Sequence, residues 1–269
     1  MASNIPLISC LMVTMPVERR MQMLKASLAA YCAQTYPHRE LVIVVDAEQP
    51  SDGDAIKAVV AALGRDDIRV VLPNGKRTLG ALRNLSWNSA RGAVICQWDD
   101  DDLTHPQRLE LQFEAMRASG KPACYLQEFV QFFPTVRRLY RVNFIISPDT
   151  VAVNTLMCRS SLAARYPEVG AQAQLGEDTA LIQQIREQGG FHPLPGMAHL
   201  YVYVSHGSNT WDDGHHRMLA DKMGVSVGLL KRGEAALRAG LAPFDFGPEE
   251  VIVTGRNGPA FTLQGRIDA

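Results

Sequence analysis

The chain has 269 residues, 46% hydrophobic and 20% charged, and its 27 Lys plus Arg against 28 Asp plus Glu leave a formal net charge of −1. This is enough chain for one large globular domain or a domain with a small appendage. The lack of a basic surplus excludes the simplest nucleic-acid or anionic-membrane binder, which needs a broad positive face. No stretch approaches the roughly 18 apolar residues of a membrane span, and Met1-Ala-Ser-Asn-Ile-Pro6 lacks the basic start and apolar run of a secretory signal, so a cytoplasmic protein is expected. Cys10, Cys32, Cys96, Cys124 and Cys158 form no CxxC pair and read as buried free thiols in a reducing compartment.

In chain order, Leu7 to Val13 is an apolar run of strand length, and Met21, Leu24, Leu28 and Tyr31 recur at helical spacing between Pro16 and Pro37. Glu40 to Val45 is a second strand ending at Asp46, followed by a turn and an Ala/Val-rich helix that stops near Gly64. A third strand spans Ile68 to Leu72, a helix runs from about Thr78 to Arg91, and Ala93 to Trp98 forms a fourth strand. Continuous apolar strands alternating with helices predict a mostly parallel central sheet with helices on both faces, a Rossmann-like α/β fold. Thr104 and Gln107 have capping-box spacing before a helix whose buried face is Leu109, Phe113 and Met116. Further on, the pattern predicts a helix from about Asp178 to Gln188, a strand at Leu200 to Val204, a helix from about Met218 to Ala239 and a short strand at Val251 to Thr254. No linker separates two domains, so residues 1–216 are expected as the main domain and 217–269 as a C-terminal helical extension packed on it.

In an open parallel sheet, ligands bind at the carboxyl ends of the strands. Asp46 and the run Asp99 to Asp102 both fall there. Four consecutive carboxylates repel one another and call for a compensating charge or full solvation. A divalent cation supplies that charge, and on an extended backbone Asp99 and Asp101 project to one side, the DxD arrangement. Mg²⁺ or Mn²⁺ is commonly held by one or two carboxylates and substrate phosphates; the plain alternative is a solvated acidic loop before a helix. Asp46 suits a ribose hydroxyl or caps the next turn. Thr14-Met-Pro-Val-Glu-Arg-Arg20 contains no glycine, which argues against a dinucleotide fingerprint, a P-loop and a sugar nucleotidyltransferase loop.

In combination, Pro16-Val-Glu-Arg-Arg20, Ala33-Gln-Thr-Tyr-Pro37, Val44-Val-Asp46, Leu79-Gly-Ala-Leu-Arg-Asn84, Asp99-Asp-Asp-Asp-Leu-Thr-His-Pro106 and Gly176-Glu-Asp178 resemble the family 2 glycosyltransferases of the GT-A fold. The resemblance covers about residues 5 to 210. It implies a metal-dependent, inverting transfer from a nucleoside-diphosphate sugar, a UDP-sugar first, to a carbohydrate or other hydroxyl acceptor. It also implies a donor set of Pro16, Val17, Glu18, Asp46 (nucleobase), Arg83, Asp99 (ribose) and Asp100. Asp101 would hold Mn²⁺ or Mg²⁺ and Asp178 would be the catalytic base, with Glu177 beside it. An acceptor hydroxyl is a poor nucleophile at neutral pH, so a carboxylate must take its proton. No QxxRW motif follows the Glu-Asp pair, which favours transfer of a single sugar over processive synthesis.

His206, at a strand end before a glycine, is the expected histidine of the metal shell, as in some relatives that this region resembles, with a surface or structural residue as the plain alternative; His215 and His216 compete with it, a polar loop being the simpler account of both. Trp211 either stacks on a sugar or belongs to the core. The segment Phe129 to Arg141 reads as an edge strand with a basic solvent face, or as a receiver for an anionic or lipid-linked acceptor in peripheral contact with a membrane. The helix near Met218 packs on the domain or on a second subunit in a homo-oligomer. The rival to the enzyme is a non-catalytic nucleotide-sugar or carbohydrate-binding protein on the same fold.

Overall fold

Strands that read as unbroken apolar runs need cover on both faces, and the first, second and fourth runs are buried almost throughout. The computed structural model describes residues 5–147 and 150–265. The chain runs β1 (Ile8–Thr14), α1 (Glu18–Cys32), β2 (Arg39–Val45), α2 (Asp54–Ala61), β3 (Ile68–Val71), α3 (Leu79–Ser89), β4 (Val94–Gln97), β5 (Leu103–Thr104), α4 (Arg108–Ser119), β6 (Ala123–Leu126), β7 (Glu128–Phe133), β8 (Arg138–Asn143), β9 (Met157–Arg159), α5 (Glu177–Glu187), β10 (Phe191–Leu194), β11 (Tyr201–Val204), α6 (Asp213–Met223), α7 (Val227–Arg232), α8 (Glu234–Leu241), β12 (Val251–Gly255) and β13 (Gly258–Leu263). It divides into two compact units, one of residues 1–101, 109–125 and 153–193, the other of 102–108, 126–152 and 194–269. Residues 217–265 therefore lie in the second unit together with much earlier chain.

The first unit is built on a seven-stranded sheet of order β10-β6-β9-β4-β1-β2-β3. β3, β2, β1 and β4 are parallel, and β9 runs antiparallel to β4. Register fixes the functional edge: Thr14 lies opposite Val45, and Leu11 lies opposite Gln97. Continuing the second pairing by three residues sets Asp100 opposite Thr14, and the Thr14 hydroxyl does donate to Asp100 Oδ2 at 2.6 Å. Trp98 anchors this edge in the core, its ring edge-on to Tyr31 and its indole N–H donating to Ser27 Oγ at 3.0 Å.

The second unit carries a six-stranded sheet of order β13-β12-β8-β7-β11-β5. One face packs Val130, Phe132, Leu139, Val202, Val251 and Val253 against Leu230, Leu237 and Leu241 of α7 and α8. Three sequence expectations change here. Phe129 to Arg141 is not an edge strand: it forms the two central strands, joined by a turn at Pro134, and all six residues of β7 are buried. Two of its arginines are spent on the fold, Arg141 pairing with Glu128 and Arg137 donating to the carbonyls of Phe246 and Glu249. The helix expected over 218–239 is three helices, because Gly224 and Gly233 end two of them; a Cβ on Gly224 would stand 2.2 Å from the Ala220 carbonyl oxygen. The strand expected at 251–254 is one arm of a hairpin with β13.

Thr104 does not cap α4. It sits in β5, and the Leu109 N–H is received by the side chain of Gln34 instead. Among the described residues no helix is long and apolar enough to cross a membrane.

Candidate active site

In the first unit, β4 stops at Gln97 and the backbone bends over 100–102, so the acidic run is not extended and its side chains do not alternate. Asp99 is half-buried, 3.7 Å from Arg83 Nη1, and its carbonyl receives the Ser27 hydroxyl at 2.8 Å. Asp100 and Asp101 share one counterion: Arg20 Nη2 donates to Asp100 Oδ1 at 2.8 Å and also to Asp101 Oδ2. Arg20 comes from the first turns of α1. Burial pushes the Asp100 carboxyl up to about 6, the Asp101 charge adding to the effect while Arg20 and Thr14 oppose it. Asp102 belongs to the second unit, where its buried carboxylate accepts from the Tyr201 hydroxyl and, at 2.8 Å, from the Val204 N–H. It is a structural carboxylate.

Asp46 follows β2 at the same edge, its N–H donating to the Thr14 carbonyl at 2.8 Å. Its carboxyl is raised by burial, with Lys76 opposing and Glu48 reinforcing. Pro16, Val17 and Glu18 form the turn from β1 into α1; Val17 is the N-cap residue and Glu18 is exposed in the first helical turn.

The second cluster is carried by α3 and α5. Arg83 Nε donates to Glu177 Oε1 at 3.1 Å, and its guanidinium lies 5.6 Å from the centre of the buried Tyr166 ring. Asp178 is the next residue, its Oδ1 buried and without a hydrogen-bond partner among the described residues. Burial pushes its carboxyl up to about 7; Arg83 opposes the shift, and the charges of Glu177 and Asp99 add to it. A half-buried carboxylate raised toward neutrality is of the type that general-base chemistry requires.

The Leu79-Gly-Ala-Leu-Arg-Asn84 segment explains how this cluster is held. Asn84 clasps the loop before α5, donating to the Tyr166 carbonyl at 2.9 Å and to Glu168 Oε1 at 2.8 Å, and accepting from the Tyr166 N–H at 3.0 Å. Thr78 donates to the Glu168 carbonyl, and the Leu79 N–H reaches Gln174. Gly80 is required by contact, since a Cβ there would stand 1.9 Å from the Pro167 carbonyl oxygen. Gly176 enters α5 at φ +84°, a left-handed conformation that glycine adopts without steric cost.

His206, His215 and His216 belong to the second unit. Both ring nitrogens of His206 face its own loop, Nδ1 within 2.9 Å of Ser208 Oγ and Nε2 within 3.2 Å of Asn209. The His216 ring lies against Tyr203, 4.8 Å between centroids, and His215 stacks on Trp211 at 4.7 Å. Trp211 is 45% exposed rather than in the core, and it directly precedes Asp212, the N-cap of α6. Among the described residues no three His, Cys, Asp or Glu side chains converge on a point that would hold a metal ion.

Glycosyl transferase family 2 matches residues 12–164, more than half of the chain and the span that contains Arg20, Asp46, Arg83 and the acidic run. The chain belongs to this family. An uncharacterized glycosyltransferase of Methanocaldococcus jannaschii is 34% identical over 113 residues, which are 41% of this chain and 37% of that protein. This family 2 member thus spans well under half the length of that relative. Among solved structures, the mannosyltransferase PcManGT from Pyrobaculum calidifontis, in complex with GDP-Man and Mn²⁺, superposes with a TM-score of 0.59 at 14% identity, over 80% of this chain and 60% of that one. TarS of S. aureus in complex with UDP-GlcNAc superposes with a TM-score of 0.57 at 14% identity, over 87% of this chain and 66% of that one. At such identities the likeness shows the fold, which is GT-A.

Sequence reasoning missed Arg20 as a counterion, Tyr166 as the ring beneath Arg83, and the structural role of Asp102. Arg20 was within reach, since four adjacent carboxylates demand a cation and the first turn of α1 carries one. Tyr166 carries no local signal.

Proposed function

We propose that the protein is a metal-dependent, inverting glycosyltransferase that moves a single sugar from a nucleoside-diphosphate sugar to an acceptor hydroxyl. The observation that carries this reading is Asp178: a half-buried carboxylate whose Oδ1 is buried without a hydrogen-bond partner among the described residues, pushed up to about 7, in the same cluster as Arg83 and Asp99. The acceptor oxygen forms its bond to the anomeric carbon as its proton passes to Asp178, and the bond to the diphosphate breaks on the opposite side, which inverts the centre. Arg83, held by Glu177 and Tyr166, faces the donor as a fixed positive charge. Asp46, Asp99, Asp100 and the turn Pro16-Val17-Glu18 bind the nucleoside portion.

By donor type, two carboxylates suit a hard divalent cation that takes its remaining ligands from substrate phosphates. Asp99 and Asp101 offer only carboxylate oxygens, and Asp101 already engages a cation, the Arg20 guanidinium. Asp101 would hold Mn²⁺ or Mg²⁺, which would neutralise charge on the departing nucleoside diphosphate. The nucleotide-sugar and Mn²⁺ complexes of the superposed structures support this reading. The five cysteines are free, in keeping with a reducing, cytoplasmic compartment.

The test is release of nucleoside diphosphate from a panel of nucleotide sugars, with and without Mn²⁺, together with thermal-shift binding. Metal-dependent turnover is expected. Binding of nucleotide sugar with neither transfer nor hydrolysis would support the non-catalytic binder instead.

A further inference from the structure

The second unit holds a cavity of about 510 Å³, lined by Phe133, Val136, Arg138, Tyr140, Arg217 and Asp221 among others. Its origin lies in the sheet. Opposite the face that packs on α7 and α8, the β7–β8 hairpin pairs Phe129 with Val142, Gln131 with Tyr140 and Phe133 with Arg138. α6 covers one end of that face, where His216 meets Tyr203 and Gly224 bridges to Val142. The Phe133–Arg138 end lies beside Arg217 and Asp221 of the same helix, and the cavity opens there.

The chemistry of this corner is specific. Of the three arginines in the hairpin, Arg137 and Arg141 are committed to carbonyls and to Glu128, whereas the Arg138 side chain has no ion-pair or hydrogen-bond partner among the described residues. Arg217 brings a second guanidinium, 5.9 Å from the centre of the Phe133 ring. Two guanidiniums against the single carboxylate of Asp221 leave one net positive charge, which suits one anionic group rather than a polyanion. The half-buried Tyr140 ring meets the buried Phe133 edge-on, 5.6 Å between centroids, and presents apolar ring surface to the cavity. The volume lies within the range of small-molecule sites.

We propose that this cavity is a second binding site, for an acidic saccharide: a sugar unit bearing a carboxylate or a phosphate. Arg138 and Arg217 hold the anionic group, the Tyr140 ring receives the C–H face of the sugar, and Asp221 accepts its hydroxyls. None of its lining residues belongs to the Asp46–Asp101–Asp178 set, and the inference stands apart from the transfer reaction.

The test is calorimetric titration of the full chain with glucuronate, glucose 6-phosphate, glucose and inorganic phosphate, repeated on an Arg138→Gln/Arg217→Gln double variant. Both acidic sugars are expected to bind wild type about tenfold or more tightly than glucose or phosphate alone, and the double variant to lose about tenfold or more of that affinity at an unchanged melting temperature. The proposal is overturned if neither acidic sugar binds, if glucose or phosphate alone binds as tightly, or if the double variant binds like wild type. A parallel titration of UDP with Mn²⁺ reads the aspartate site separately, so failure of one reading is distinguishable from failure of the other.

Discussion

Asp178→Asn separates a catalytic carboxylate from a structural one, because the two roles move stability and turnover in different directions. The substitution nearly preserves shape and removes the charge. In the native state the carboxyl is pushed from 3.8 up to about 7 by burial, so ionising it in the folded protein costs free energy that the unfolded chain does not incur. At about 1.4 kcal/mol per unit, the cost above pH 7 is at most roughly 4 kcal/mol. The sign follows from proton binding: between pH 4 and pH 7 the folded state binds more protons than the unfolded one, so stability from this group is present at low pH and is lost as pH rises through about 7. Asp178→Asn should therefore melt several degrees above wild type at pH 8 and close to it near pH 4. Turnover should fall by about 10² to 10⁴, with donor affinity little changed. In wild type, turnover should rise with pH through an inflection near 7, as the base loses its proton. Calorimetric melting at the two pH values, donor titration and initial rates on the same protein check all three. An Asn variant that is less stable at pH 8 and turns over within a few-fold of wild type would refute the reasoning and identify Asp178 as an ordinary helix-terminal carboxylate.

Arg20→Gln removes the shared counterion of two carboxylates and should destabilise the metal-free protein by roughly 3 kcal/mol, a loss that Mn²⁺ partly restores in a thermal-shift assay. Asp101→Asn should abolish Mn²⁺-dependent turnover while leaving the fold intact, as read by circular dichroism; wild-type turnover with unchanged metal dependence would count against the ligand assignment. Gly80→Ala forces the loop at Pro167 away from α3, costing about 1 to 3 kcal/mol and lowering turnover, since the same loop leads to Asp178. Tyr201→Phe leaves Asp102 short of a buried partner and should lower stability by about 1 to 3 kcal/mol in urea unfolding, with nucleotide affinity unchanged.

The first unit was legible because its signals are local. A buried parallel strand reads as an apolar run, and β1, β2, β3 and β4 each fall within a residue or two of the expected spans. Asp46 and Asp99 to Asp101 stood out for a related reason, as charges placed directly after strands, whereas Arg83, Glu177 and Asp178, on α3 and α5, were singled out only by the family resemblance. The second unit was not, because its strands depend on partners distant in sequence: β7 pairs with β11 about seventy residues later, and β8 with β12 more than a hundred residues later. The arginines of Phe129 to Arg141 gave the hairpin an exposed look, and only Glu128 and the Phe246 and Glu249 carbonyls, which absorb two of them, explain how it occupies the centre of a sheet. The backbone bend after β4 was likewise invisible, and it decides that Asp100 and Asp101 share Arg20 rather than facing apart.

The discontinuous first unit also orders events during synthesis. By residue 101 a nascent chain has produced β1 to β4 and the Thr14, Arg20, Asp100 and Asp101 set, all of it in a single stretch. Glu177 and Asp178 emerge much later, and Arg83 waits 94 residues for its partner Glu177. Chains grow from the N-terminus and early segments organise first, so the cluster of Thr14, Arg20, Asp100 and Asp101 takes shape while Glu177 and Asp178 have yet to leave the ribosome. A product cut short before residue 177 would keep the strands that lead into Asp46 and Asp99 and lack the base proposed above.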